Sequence, residues 1–346
     1  MTSIRWVSGT ACDFLMSLFV LHHAADFGLR PAWAAGVRQR LSASSREILE
    51  KVFAFSTVPL SWIITLPLPA DGQTLLWAIK ELQPEQRLPV LTLSPKVRAE
   101  AHPLLENVAR RGTWDTADRE QLLACFKQSR IPSPSGLDHL LNLWTDLTGY
   151  GQRYLEALQE YYLVYFLDEE ARIRPTIEKE LAAAQTLAGK LLPDQLIERL
   201  SHGVRFEDMS AISSVTFLPS WWVTPLVFLE RSGQEVAIAF GVRPQVPGGA
   251  DGSEAPENLV AAFKSLGDPT RLRILYYLSS APLSPSELAR RLRLRPPTVT
   301  HHLNALRLAG LVQVTVGEGL ERRYKVRPDA LQEIYKSLQD YLNIHG

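Results

Sequence analysis

The chain has 346 residues, more than one hydrophobic core usually organises, since cores stop growing at roughly 250–300 residues. With 46% hydrophobic and 21% charged residues it is not a disordered polymer. Lysine plus arginine number 37 and aspartate plus glutamate number 37, so the total charge selects no polyanionic partner. The balance is uneven along the chain, however. Glu257 to the end carries 13 basic and 8 acidic residues, a net of +5, which leaves −5 on the rest. A basic module on an acidic body is the asymmetry that points to nucleic acid.

Cys12 and Cys125 are too few for a disulfide framework. Met1–Trp6 has none of the apolar run of a secretory leader, and Phe14–Leu21 falls far short of the ~20 residues that span a bilayer. A cytoplasmic protein is expected, with no membrane association.

In chain order, residues 1 to about 210 read as mostly helical. Ser44 followed by Glu47 fits a capping box ahead of Ile48, Leu49, Val52 and Phe53. The segment 59–69, with Pro59, Pro67 and Pro69, reads as an extended connection. Leu75, Leu76, Ile79 and Leu82 keep helical spacing, as do Leu137, Leu140, Leu141 and Trp144. From Arg153 to Arg172 a broad apolar face carries Tyr154, Leu158, Tyr161, Tyr162 and Tyr165, and Pro175 opens a further helix through Leu187. Asp168-Glu169-Glu170 between them reads as a solvated end. Val215–Leu218, Pro225–Glu230 and Glu235–Val242 are β-prone, the last two joined by a turn at 231–234. Residues 243–256, rich in Gly, Pro and acidic side chains, cannot bury a core and read as a flexible linker.

After the linker the start and stop signals are dense. A short helix at 258–266 leads to Asp268 at an N-cap position with Pro269 at the first helical position, then a helix with Leu272, Leu275 and Leu278 as its buried side. Ser284-Pro285-Ser286-Glu287 is a capping box that opens a helix to Leu292. Pro296-Pro297 opens the next, 298–309, closed by Gly310. Two strand-like runs, 311–316 and 323–327, flank Gly317-Glu318-Gly319 as a hairpin, or wing. A last helix over 329–342 carries Leu331, Ile334, Leu338 and Tyr341 on one stripe. This order spells a winged helix-turn-helix, in which the second helix of the pair projects far enough to enter a major groove. The exposed face of 298–309 offers Thr298, Thr300, His301, Asn304 and Arg307, with Val299, Leu303 and Leu306 facing in. His302 is better placed for packing. Arg290, Arg291, Arg293 and Arg295 precede this helix, and Arg322 and Arg323 mark the wing, as sources of phosphate contacts.

The stretches LGDPTRLRILYYL, SELARRL, TVTHHLNALRLAGLV and RRYKV together resemble the DNA-binding domain of the arsenical-resistance (ArsR-type) repressors, in residues and in spacing. The resemblance implies a homodimer through helices 258–266 and 329–342 that binds double-stranded operator DNA, an inverted repeat. It puts Thr298, Thr300 and His301 on base-reading positions and Arg322 and Arg323 on the wing. Ser284 and Ser286 stand where the family's best-known metal site has cysteines, and the last helix lacks a histidine before His345, so no metal site and no cofactor are expected. Arg295 replaces a common N-cap serine and is a candidate phosphate contact. TSIRWVSG, PLSWIITLPLP and VTFLPSWW are similar to an uncharacterised domain that precedes such modules in some bacterial regulators.

The expected architecture is mainly α with small β elements. A helical N-terminal domain (1–242) ends in a β-hairpin, and the linker joins it to a winged helix-turn-helix (257–346). The N-terminal domain is expected to be a sensor of an unknown small molecule or a dimer stabiliser. His22, His23 and Asp26 could set an imidazole and a carboxylate on one face, but without a third ligand they are more simply a structural cluster. No nucleophile elbow, phosphate loop or zinc-protease motif is present, so no enzyme is expected. The rival is a small-molecule-binding protein or enzyme that uses the winged helix only to dimerise.

Overall fold

The computed structural model describes the chain apart from residues 1, 28–30, 127–133, 202, 225–226, 243–255, 318–321, 328 and 345–346. The N-terminal region is built around α1 (Ala11–His22), whose residues 11–21 are all buried. A helix buried on every side lies at the centre of its region. Against it pack α2 (Pro31–Gln39), α3 (Ala43–Phe53), α4 (Leu60–Ile63) and α5 (Gly72–Glu81); α6 (Pro84–Thr92) follows, and α7 (Pro95–Arg111), α8 (Thr116–Cys125) and α9 (Pro134–Trp144) pack on one another. Next comes α10 (Leu147–Tyr161), which runs through one π-helical turn at Tyr162–Phe166 into α11 (Leu167–Ala188), followed by α12 (Pro193–Leu200).

Three local expectations give way here to tertiary structure. Pro175 does not open a helix but lies inside α11. The donor it lacks is outweighed by the buried stripe Ile173, Ile177, Leu181 and Ala184 on either side of it. The segment after Pro59 makes a turn of helix rather than an extended connection. The Glu230 carboxylate, from a distant strand, accepts the Ser61 N–H at 2.7 Å and satisfies a helix start the local sequence leaves open. The cap of α3 is Ser42, not Ser44. Its hydroxyl accepts from Ser45 N–H, and Glu160 of α10 binds Ser42 and Ser45 in turn.

The strands of the first 242 residues are β1 (Ser3–Trp6), β2 (Val204–Phe206), β3 (Ser214–Ser220), β4 (Val227–Ser232) and β5 (Glu235–Gly241). β4 and β5 form the expected antiparallel hairpin, turning at Gly233 with φ +59°. The hairpin is half of a mixed sheet in the order β1-β3-β5-β4, because β3 pairs in parallel with both β1 and β5. β3 is buried at all seven positions, as a strand with parallel neighbours and covered faces should be.

The C-terminal unit comprises α13 (Glu257–Leu266), α14 (Pro269–Ser280), α15 (Pro285–Leu292), α16 (Pro296–Leu308), β6 (Val312–Val316), β7 (Arg322–Val326) and α17 (Ala330–Tyr341). Its core gathers Ile274, Leu278, Leu288, Leu292, Val299, Leu303, Leu306, Val312 and Val314. Of the side predicted to be buried on α14, Leu278 is, but Leu272 is 49% exposed. The wing is the antiparallel pair β6–β7; the centre of its turn, with Glu318 and Gly319, lies outside the described residues. Its sheet has a third strand from far upstream: β2 pairs in parallel with β6. Among the described residues no helix is long and apolar enough to cross a membrane.

Candidate nucleic-acid interface

The helix-turn-helix is fixed by caps. Asp268 accepts from the N–H groups of Thr270 (2.8 Å) and Arg271 (3.1 Å) and starts α14. These bonds, with His302 and Arg271 close by, hold its carboxyl below the usual range despite partial burial. Ser284 and Glu287 form the predicted capping box, with Ser284 N–H on the Glu287 carboxylate at 2.7 Å and Glu287 N–H on the Ser284 hydroxyl at 3.3 Å. α15 ends at Arg293, which takes the left-handed conformation (φ 57°), and Leu294 N–H closes back onto the Ala289 carbonyl at 3.0 Å. Arg295 stands at the N-cap of α16 and gives it no side-chain cap; Pro296-Pro297 occupy the first helical positions, where missing N–H groups cost nothing.

On α16 the two faces separate cleanly. Val299, Leu303 and Leu306 are fully buried, while Thr298, His301 and Asn304 are exposed at three-residue spacing, one row along the helix. Thr300 is half-buried, and its hydroxyl donates to the Pro296 carbonyl at 3.0 Å, leaving its lone pairs for a donor outside. His302 faces inward beside Asp268, 3.8 Å away, and burial lowers its pKa. Arg307 departs from the expected exposed face. It is half-buried against the wing near Tyr324 and Arg322, where desolvation pulls its guanidinium pKa down. The reason is angular: at 100° per residue a row of three-residue steps drifts, so position 307 lies about 40° from the buried Leu303, while 301 and 304 stay in the open.

Arg290, Arg291, Arg293 and Arg295 are exposed around the turn, and Arg291 lies over the Tyr277 ring at 5.7 Å. On β7, Arg322 and Arg323 are exposed, the latter 3.8 Å from Glu287. Lys325 was missed by the sequence reading although alternation alone gives it, since Arg323 and Lys325 flank the buried Tyr324. The unit thus presents one polar helical row bordered by cations from the turn before it and from the wing, an arrangement that fits a groove and its two phosphate walls.

His22 and His23 each bond the carbonyl four residues back (Leu18 and Phe19, both at 2.9 Å) and stack on Phe53 and Phe19. Burial pushes His22 down to about 4, so it is neutral and structural. The Asp26 side chain lies outside the described residues. Among the described residues no three His, Cys, Asp or Glu side chains gather as a metal site would need. Glu169 and Glu170, expected as a solvated end, are buried. Glu170 receives the Thr10 hydroxyl, Gly72 N–H (3.0 Å), the Tyr162 hydroxyl (3.0 Å) and Arg174 (3.1 Å), and Glu169 is held by Arg172. Asp13, wholly buried on α1, accepts from the Ser220 hydroxyl and Trp222 N–H, and burial raises it to about 7 against those bonds.

Comparison with known proteins agrees with this division. Residues 268–314 match the model of the bacterial regulatory protein, arsR family. An uncharacterised HTH-type transcriptional regulator of Methanocaldococcus jannaschii is 35% identical over 88 residues, 98% of that protein and 25% of this chain. The transcriptional repressor SdpR of Bacillus subtilis is 27% identical over 81 residues, 89% of that protein and 23% of this chain. No solved structure matches.

Proposed function

Because the chain belongs, through its C-terminal unit, to the arsR family of bacterial regulatory proteins, we propose that it is a homodimeric, sequence-specific repressor of transcription and not an enzyme. In this reading α16 enters the major groove of an inverted-repeat operator, with Thr298, His301 and Asn304 toward base edges and Thr300 at the margin. Arg295, Arg322 and Arg323 take phosphates, joined by Lys325. Arg307 acts from behind, by setting the wing against α16. The observation that carries the reading is the row Thr298–His301–Asn304, polar and exposed on a helix whose opposite side is fully buried.

Dimerisation through α13 and α17 is supported by the apolar surface these helices leave in solvent: Phe263 is 46% exposed, Leu331 54% and Tyr335 63%. Aromatic and aliphatic side chains of that size, clustered at the two ends of one unit, are the material of a subunit interface. The regulator works where the chromosome is, in the cytoplasm, and the N-terminal region is the place for a small-molecule effector.

The test is selection of genomic DNA fragments on the full-length protein at two salt concentrations. Enrichment of inverted repeats with half-sites about one helical turn apart is expected, weaker at the higher salt. Recovery of random fragments at both would sink the sequence-specific reading.

A further inference from the structure

β2 lies within the N-terminal region in sequence, but it pairs with the wing of the C-terminal unit. Val204 is fully buried in the core of the C-terminal unit, together with Val312, Val314 and Val316 of the wing. The register is Val204↔Val314, Arg205↔Thr315, Phe206↔Val316. Main-chain bonds close it at both ends, from Val314 N–H to the Gly203 carbonyl at 3.0 Å and from Glu207 N–H to the Val316 carbonyl at 3.1 Å. Gly203, at φ +99°, lets the backbone come this close; a Cβ there would meet Gln313 Cβ at 3.1 Å. The far edge of the wing is occupied too, by a bridge between Leu283 and Tyr324. β2 therefore takes the free edge of β6, which would otherwise offer unpaired N–H and C=O groups to solvent.

The same strand is tied to the N-terminal region. Gly203 N–H bonds the Glu198 carbonyl of α12 at 2.9 Å, Val204 N–H bonds the Ser201 hydroxyl at 3.0 Å, and Arg205 pairs with Glu198 at 2.6 Å. Phe206 and Leu229, the latter on β4, each pack against both cores. α11 leads into α12, and α12 into β2, so a shift of the helix that carries Glu169 and Glu170 has a direct mechanical route to the wing.

Resting on the DNA-binding reading above, we propose that β2 is the coupling strand of this regulator: the three-stranded wing is the DNA-competent form, and the N-terminal region controls affinity by holding β2 on β6 or letting it go. Two arrangements of one element, biased by a distant region, are what such control requires. Holding β2 also fixes the strand pair that carries Arg322 and Arg323, so less order has to be imposed when DNA binds.

The experiment uses the full chain, mixed-sequence duplex DNA at low salt, and amide hydrogen exchange of residues 312–316. Val204→Asp puts a charge in the shared core. Arg205→Pro is the milder companion, breaking the strand while leaving the core side chains in place. Both should raise exchange in 312–316 and weaken DNA binding about tenfold. A cysteine pair, Arg205→Cys with Thr315→Cys in a Cys125→Ser background, should when oxidised keep wild-type affinity. Unchanged affinity, within twofold, in a variant whose 312–316 exchange has opened would overturn the proposal. Tighter binding in that variant, or loss of binding on oxidation, would also overturn it, because β2 would then be a brake. A wild-type chain that binds no duplex at low salt removes the DNA-binding reading itself; the exchange data then still report whether β2 closes the sheet.

Discussion

In the N-terminal region the charged groups that decide structure are inside. Glu170 joins the starts of α1 and α5 to the π turn through Thr10, Gly72 and Tyr162, and Asp13 binds the end of β3 from the first turn of α1. In the C-terminal unit they are outside, around the helix-turn-helix and on β7, and the core inside is aliphatic but for Tyr324. The contrast separates two uses of charge. Buried and bonded, a carboxylate fixes one arrangement and is costly to disturb; exposed in a row, cations and polar groups cost the fold little and are left for a partner.

The largest break in this comparison should come from Glu170→Ala, which strands the donors of Thr10, Gly72 and Tyr162 and leaves Arg174 with Asp71, 3.8 Å away. A loss of about 3–5 kcal/mol is expected, read as a fall in the melting temperature of the N-terminal region. A change under 1 kcal/mol would mean that the buried hub is ornamental. Asp13 sharpens the same side through pH. Its folded pKa, about 7, is above the unfolded value near 3.8, so the folded state holds its proton longer. Between these values stability from this group falls as pH rises, by at most on the order of 4 kcal/mol. Asp13→Asn should therefore raise the melting temperature at pH 8 clearly more than at pH 4; an equal effect at both would show that the carboxyl is not the titrating group.

On the outer side, His301→Ala and Asn304→Ala should each cost about 1–3 kcal/mol on a selected operator and little on random DNA. Arg322→Ala should weaken both kinds of DNA alike and reduce the salt slope by about one. Losses that are equal on both kinds for all three variants would place the base-reading face elsewhere. Ser284→Ala should remove about 1 kcal/mol of stability through the capping box, with circular dichroism melts as the check. The smallest effect belongs to Arg293→Gly, which relieves a left-handed arginine and should stabilise by up to about 1 kcal/mol while costing a little DNA affinity.

The same contrast governs what could be read from sequence. The C-terminal unit was legible because its signals are local. Asp268-Pro269 and Ser284–Glu287 lie within a few residues of what they cap, and the faces of α16 follow from helical period. Arg307 was misplaced because the wing that covers it arrives later in the chain. In the N-terminal region the decisive partners are distant. Ser61 is capped by Glu230, Thr10 is bound by Glu170, and no window of sequence around Asp168-Glu169-Glu170 distinguishes a buried hub from a solvated turn. β2 was missed for the same reason. Three residues, Val204–Phe206, carry no periodicity, and their partner is β6.

That pairing also sets an order of assembly. Val204 leaves the ribosome more than a hundred residues before Val314, so during synthesis β2 waits as an unpaired edge while β3, β4 and β5 return to the first core. The wing sheet can close only after the whole helix-turn-helix has emerged. A contact of such high sequence separation forms late and slowly, and until it does the chain carries a bare strand that another copy could take in its place. The DNA-binding end of this protein is therefore the last part to mature, and it does so by waiting for a strand made long before.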